Sequence, residues 1–443
     1  MSYAWVLAFN CMVTAALLAL FRPLALRINL TDIPNHRKNH EGAVPLVGGI
    51  AIYAGLLSTF LLLGLPIDRH VAALLLAGGI LVTVGVIDDW IEVPPLVRLV
   101  AQATAALILC FGGVVVADLG ELLVPGHTIA LGVLAVPFTT FAVVALINSV
   151  NMSDGLDGLA GSQTLISLGG IAAVTVLAGQ AESAVPLLAV CGGVVAFLAF
   201  NLRRPFLPRA SVFLGDAGSN FLGLVLAWAL IRAAQAEPGG IMPAAALWFV
   251  SLQVFDTVEI VVRRIVRRRS PFDADREHLH HVFLLAGFTI SETVLAMGLF
   301  AAGGVVVGVL AVALQPPDGA VFFGFVVSCG VFLAYVLRTW RTMHFLRRSI
   351  CRRRSIHDRR RTPGLAWAGP ERRSGLERRS VVPGVAYGHG VAADAAQSHG
   401  LPTAYSIAQA RATGRSGGDD ILLQKPQPIG KSGRRFRRRT RGA

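Results

Sequence analysis

Charge is scarce in this sequence. Only 15% of the 443 residues are Asp, Glu, Lys or Arg, against about 25% in an ordinary soluble domain. The mean hydropathy is +0.62. Together these values exclude an ordinary cytosolic domain, a disordered chain and a collagen-like chain. Cysteine is sparse too. Cys11, Cys110, Cys191, Cys329 and Cys351 form no CxxC pair, so they read as small apolar residues, four of them in apolar stretches. Walker A, GxGxxG and HExxH patterns are all missing, which removes several enzyme classes that depend on them.

The charge that is present is unevenly placed. The formal total is +14, which by itself suggests a nucleic acid or an anionic surface as partner. Up to Leu337, however, the chain holds 16 Lys and Arg against 20 Asp and Glu, a net of −4; beyond it are 24 against 6, a net of +18. An apolar, mildly acidic body (1–337) thus carries a basic tail (338–443). No nucleic-acid partner is expected for the body. The tail has arginine runs such as Arg352–Arg354, Arg359–Arg361 and Arg434–Arg439 among Gly, Ser and Pro. It is expected to be largely disordered, either solvated or lying on anionic membrane lipids.

The body divides into apolar stretches of the length a helix needs to cross about 30 Å of hydrocarbon. They fall near 3–21, 47–64, 71–87, 99–117, 129–147, 158–178, 184–201, 219–233, 243–262, 289–314 and 319–337. The expectation is an all-α, polytopic membrane protein with about eleven spans. Strands of a membrane barrel would alternate every second residue, and these stretches do not. The first lacks a basic leader and a small-residue cleavage site, so it reads as a retained helix. With the N-terminus outside, fourteen basic loop residues of the body face inward and only Arg69 and Arg232 face outward. That is the positive-inside bias, and it places the tail in the cytoplasm.

The same parity puts the acidic and histidine clusters on one face. Asp88-Asp89 end the third stretch; Asn148, Asn151, Asp154 and Asp157 surround the end of the fifth; Asp216 precedes the eighth; His278, His280 and His281 follow the ninth. Ionisable groups at membrane helices are functional candidates. Each cluster also has a plain reading. Asp88-Asp89 can be a solvated helix-end pair, and Asp154 and Asp216 can be helix N-caps. Adjacent carboxylates otherwise need a cation. Hard oxygen donors suit Mg²⁺ or Mn²⁺, with Mg²⁺ commonly using one or two carboxylates plus substrate phosphates. The histidines can handle phosphate or protons, bind zinc, or form a surface cluster. A CDP-alcohol phosphotransferase is excluded, because Asp154-Gly155 lacks the Ala-Arg pair that should follow.

Five blocks then carry a resemblance. They are Asp32-Ile33-Pro34-Asn35-His36-Arg37-Lys38 through Val44-Pro45-Leu46-Val47-Gly48-Gly49; Asp88-Asp89; Asn151 to Gly161; Phe213 to Ser219; and Ser270-Pro271-Phe272 through His278-Leu279-His280-His281. In this order the chain resembles the polyprenyl-phosphate N-acetylhexosamine-1-phosphate transferases. The Val-Pro-Leu-Val-Gly-Gly block is most similar to the branch that acts on undecaprenyl phosphate and UDP-N-acetylglucosamine to start O-antigen or related envelope glycans. The muramoyl-pentapeptide branch usually has three consecutive histidines, which Leu279 interrupts here.

The resemblance implies a Mg²⁺-dependent enzyme of the bacterial cytoplasmic membrane, with its site at the cytoplasmic surface. It implies Asp216 as principal metal ligand and Asn151 as second, and Asp88 as the base for the lipid phosphate. The rival route runs through a covalent aspartyl intermediate. Asp89, Asp154 and Asp157 would serve nucleotide or metal waters, and His278, His280 and His281 phosphate or sugar. Arg37, Lys38, Asn148, Arg203 and Arg264 would contact substrate, the cations alternatively serving topology or lipid head groups. Family members can be homodimers. Other UDP-N-acetylhexosamines or UDP-muramoyl-pentapeptide remain alternative donors. A cation-coupled transporter or a non-catalytic membrane anchor are the competing classes.

Overall fold

The computed structural model describes residues 2–32, 43–236, 240–268 and 278–358, with the side chains of 181–182 and 339–358 left out. The expected positions of Arg37 and Lys38, the Ser270–Phe272 segment and the tail beyond Asp358 lie outside the described residues.

Apolar helices stand at all eleven expected places. Among the described residues, nine are long and apolar enough to cross a membrane: Tyr3–Ile28 (α1), Arg69–Ile91 (α3), Gly132–Ser153, Leu159–Leu177 (α6), Ser183–Asn201, Gly215–Ala234 (α8), Pro243–Val266, Ile290–Leu314 (α12) and Asp318–Arg338. Gly48–Leu62 (α2) and Pro95–Phe111 (α4) are the two shorter apolar ones. The α-helical part of the fifth is Ala135–Ser153 (α5), and the seventh runs over Ala181–Asn201 (α7). The ninth is a composite of Pro243–Ala246 (α9), a 3-10 turn at Leu247–Val250 and Ser251–Val266 (α10). A short helix, Leu279–Leu285 (α11), carries two of the histidines. The protein is a polytopic all-α membrane protein.

Three boundaries differ from the sequence expectation, for local reasons. The first helix continues to Ile28 and stops where Asn29 adopts φ 58°. The fourth stops at Phe111, where Gly112 and a left-handed Gly113 turn the chain; residues 114–131 then form a small bridged loop that pairs Asp118 with Ala130. The last helix does not end at Leu337 but runs from Asp318 to Asp358 (α13). Its basic extension lacks a helix breaker.

The core centres on α8, of whose 20 residues 16 are buried. It packs against α2, α3 and α5. Close approach is possible because the neighbours present glycine. A Cβ on Gly49 would stand 2.2 Å from the Gly218 backbone, and one on Gly85 would stand 2.3 Å from Ala217 Cα. The first motif block is fastened to the same place. Thr31–Asp32 (β1) pairs antiparallel with Val44–Pro45 (β2), and Phe213 N–H donates to Pro45 O at 2.9 Å. Gly48 and Gly49 N–H donate to the carbonyls of Phe213 and Leu214, each at 3.0 Å. The first amides of α2, which need partners at any helix start, therefore find them in the Phe213–Ser219 block.

Candidate active site at one end of the bundle

The carboxylates come together because helix ends come together. Asp88 and Asp89 are in the last turn of α3, Asn151 in the last turn of α5, Asp154 just beyond it, and Asp216 in the first turn of α8. Asp89 accepts from Asp216 N–H at 2.9 Å and from Ala217 N–H at 3.4 Å. It thereby serves the start of α8 as an acidic side chain can, satisfying amides and meeting the positive helix end. Asp216 accepts from Asn151 Nδ2 at 2.6 Å, and the same amide donates to Ser219 Oγ at 2.9 Å.

One of the fourteen inward-facing basic residues of the body joins them. Arg98, in the first turn of α4, reaches Asp88 at 3.2 Å and Asp216 at 3.9 Å. Asp88 is 5% exposed and Asp216 32% exposed. The second Asp88 oxygen accepts from Val93 N–H at 2.8 Å. A buried carboxylate next to a second one requires positive charge, and Arg98 provides part of it.

Asp154 keeps exposed surface beside these groups. The protein around its carboxyl, and then the charges of Asp216 and Asp157, hold it above the ordinary carboxylate range. Asp157 has a different setting. It pairs with Arg203 at 2.6 Å and accepts from Ala210 N–H at 3.3 Å. With Asn201, which accepts from Gly158 N–H at 2.6 Å and donates to Val212 O at 2.8 Å, it clamps the loop between α7 and α8 onto the Asp154–Gly158 turn. Asn148 lies one turn before Asn151 in α5. Its Nδ2 donates to Gln102 Oε1 at 2.7 Å and Val144 O at 2.8 Å, and Gln102 donates on to Asn220 at 3.2 Å.

The histidines reach the same turn from the other side. His280 is 2% exposed. A Cβ on Gly155 would stand 2.4 Å from its Nε2, so glycine is what admits the ring. His280 lies parallel to His278, with centroids 5.5 Å apart and planes at 8°, and 4.2 Å from His281. Burial first, then the neighbouring His281 and His278, push its imidazole down to about 3. Arg264 is buried on α10. The sequence assigns no role to Asp256 and Glu259 and counts Arg263 only among the inward-facing basic residues, yet all three are buried on α10; charged residues spaced three to four apart in an apolar span are the available signal.

The donor set suits a hard cation. Asp88 Oδ2 is buried with Arg98 as its ion-pair partner at 3.2 Å, and the nearby metal-ligating atoms are carboxylate and amide oxygens. Among the described residues no three His, Cys, Asp or Glu side chains form a complete metal cage. Such a sparse set fits Mg²⁺ better than zinc, since Mg²⁺ completes its shell with water and substrate phosphate.

Comparison with known proteins identifies the family. Residues 71–234, which include Asp88, Asp89, Asn151, Asp154 and Asp216, match the model of glycosyl transferase family 4. The undecaprenyl-phosphate alpha-N-acetylglucosaminyl 1-phosphate transferase of Yersinia pestis is 33% identical over 335 residues, covering 75% of this chain and 91% of that protein. The protein of the same name from Escherichia coli strain K12 is 33% identical over 354 residues, covering 80% and 95%. That of Haemophilus influenzae is 33% identical over 336 residues, covering 75% and 93%. Likeness that extends over nearly the whole of such relatives, on a helical membrane scaffold that gathers its carboxylates at one end, means that the chain belongs to glycosyl transferase family 4.

Proposed function

We propose that this protein transfers N-acetylglucosamine 1-phosphate from UDP-N-acetylglucosamine to undecaprenyl phosphate at the cytoplasmic face of a bacterial inner membrane. A lipid phosphate oxygen attacks the β-phosphorus; the bond from that phosphorus to the bridging oxygen breaks; UMP leaves with the electron pair. The product is the lipid-linked diphosphate sugar that begins O-antigen or a related envelope glycan. The observation that carries the reading is the meeting of Asp88, Asp89, Asn151 and Asp216, with Arg98 against Asp88 and Asp216, at one end of a membrane bundle. The shared name of the relatives supplies the substrates.

Both reactants are anions, so positioning and charge neutralisation are the main tasks. Asp216, with Asn151 or Asp88 beside it, would hold a Mg²⁺ ion, which offsets charge on the diphosphate and the departing UMP. Arg98 presents a guanidinium between the two carboxylates and toward the same space. Asp89 fixes the first amides of α8 and with them Asp216. Asp88 would take a proton from the lipid phosphate. Arg203 and Asp157 hold the turn that carries Asp154. The site must open both to cytosol and to bilayer, because the nucleotide sugar arrives from one and the lipid head group from the other.

The test is Asp216→Asn in the purified full chain. UMP release from UDP-N-acetylglucosamine with undecaprenyl phosphate and Mg²⁺ should be lost. Turnover near that of the unaltered protein, or an unaltered protein that makes no UMP from this pair, would refute the assignment.

A further inference from the structure

Asp256 lies in the middle of α10, which also buries Glu259, Arg263 and Arg264, and is 4% exposed. A carboxylate there is costly unless its oxygens are used. Both are turned toward the histidine segment. One accepts from Leu279 N–H at 3.0 Å. This supplies α11 with a cap that its own N-cap residue, His278, does not provide. The other stands 3.5 Å from His278 Nδ1. The His278 ring is therefore bounded on two sides, by the carboxylate at Nδ1 and by the parallel ring of His280 at 5.5 Å. His280 in turn rests on Gly155, next to Asp154.

His280 and His278 consequently differ. His280 is enclosed and kept neutral. His278 has a carboxylate 3.5 Å from a ring nitrogen. An acceptor at Nδ1 fixes which nitrogen carries the proton and which way the ring faces. We infer that Asp256 is a positioning residue for the transfer reaction: it holds His278 with Nδ1–H toward itself and presents Nε2 to the substrate phosphates. Asp256 touches no substrate and acts through His278. The inference rests on the proposed transferase reading for its chemistry, but the pairing itself is independent of it.

A plain structural role for Asp256 would be limited to capping α11. Asp256→Asn separates the two roles. The amide oxygen can still accept from Leu279 N–H, while its NH₂ group faces His278 Nδ1 and favours the wrong tautomer. In the full-length enzyme, kcat should fall about 100-fold, the scale of losing a positioned acid–base group, with KM for UDP-N-acetylglucosamine and the melting temperature little changed. Asp256→Glu should recover part of the loss. Asp256→Asn combined with His278→Gln should be no slower than His278→Gln alone, because the two act as one unit. Ring ¹⁵N shifts of His278, assigned with the His278→Gln protein, should report Nδ1–H in the unaltered enzyme and not in Asp256→Asn.

Unchanged kcat in Asp256→Asn overturns the inference. So do additive losses in the double variant, or an unaltered tautomer. A kcat loss that merely follows a lowered melting temperature in every Asp256 variant would leave only the cap. An unaltered enzyme that makes no UMP would sink the transferase reading instead, and the ¹⁵N shifts would still decide the pairing.

Discussion

Arg98 is the residue whose replacement is most informative at the smallest scale. It stands 3.2 Å from a carboxylate that is 5% exposed and 3.9 Å from Asp216. Arg98→Ala leaves Asp88 without its cation and removes charge from the place where phosphates would meet. UMP formation should drop about 100-fold, as for loss of one preorganised charge donor. Lysine should restore part of it, since the charge returns but the planar fork does not. A rate within twofold of normal in Arg98→Ala would remove the guanidinium from the reaction. Asp88 has its own test in single-turnover mixing. With UDP-N-acetylglucosamine and no lipid, direct transfer predicts no UMP, whereas UMP in amounts matching the enzyme would show a covalent aspartyl route. The carboxylates themselves were legible because each breaks an apolar run beside glycine or a second acid. Arg98 and Asp256 were not legible as site residues. Their meaning comes from partners 118 and 22 to 23 positions away in the chain, Asp216 for the first and His278 with Leu279 for the second.

Elements explain why the site is rigid. The start of α8 is wedged among α2, α3 and the Asp89 carboxylate, with Gly49 and Gly85 as the points of closest approach. Gly85→Ala would push a methyl group against the Ala217 backbone, one residue from Asp216. Overpacking of this kind costs about 1–3 kcal/mol, and it should lower the melting temperature in detergent together with turnover. An unaffected melting temperature would show that α3 and α8 can separate freely. The histidine helix gives a pH signature. His280 is held down to about 3 in the folded protein, against an ordinary value of 6.5. Its contribution to stability is therefore complete above about 6.5 and is lost as pH falls toward 3, because only the unfolded chain takes up the proton. Each unit of acidification in that window costs about 1.4 kcal/mol from this group. Between pH 7.5 and 5.5 the melting temperature of His280→Gln should fall less than that of the unaltered protein; parallel curves would contradict this. The apolar periodicity revealed where these helices stand, but it held no information about which glycines allow contact. That depends on pairs such as Gly49 with Gly218, far apart in sequence.

The proposed reaction requires the whole molecule to orient its site toward the compartment that holds nucleotide sugars. The ends that carry Asp88, Asn151 and Asp216 coincide, as do the flanking loops with Arg98, Arg203, Arg204 and Arg209. The opposite end carries the bridged loop around Asp118, where Glu121 N–H is tied to Asp318 at the start of α13. Two exposed positions distinguish the faces: Phe206, 79% exposed between α7 and α8, and Val124, 52% exposed between α4 and α5. In a Cys351→Ser background, Val124→Cys should react in intact cells with a maleimide that cannot cross membranes. Phe206→Cys should react only after the membrane is opened. The charge bias argues for this direction, since retaining arginines on the cytoplasmic side sets the overall orientation, and the proposed reaction requires the same side for UDP-N-acetylglucosamine. The reverse labelling pattern would break both arguments at once, because it would put the carboxylate cluster where no nucleotide sugar is made.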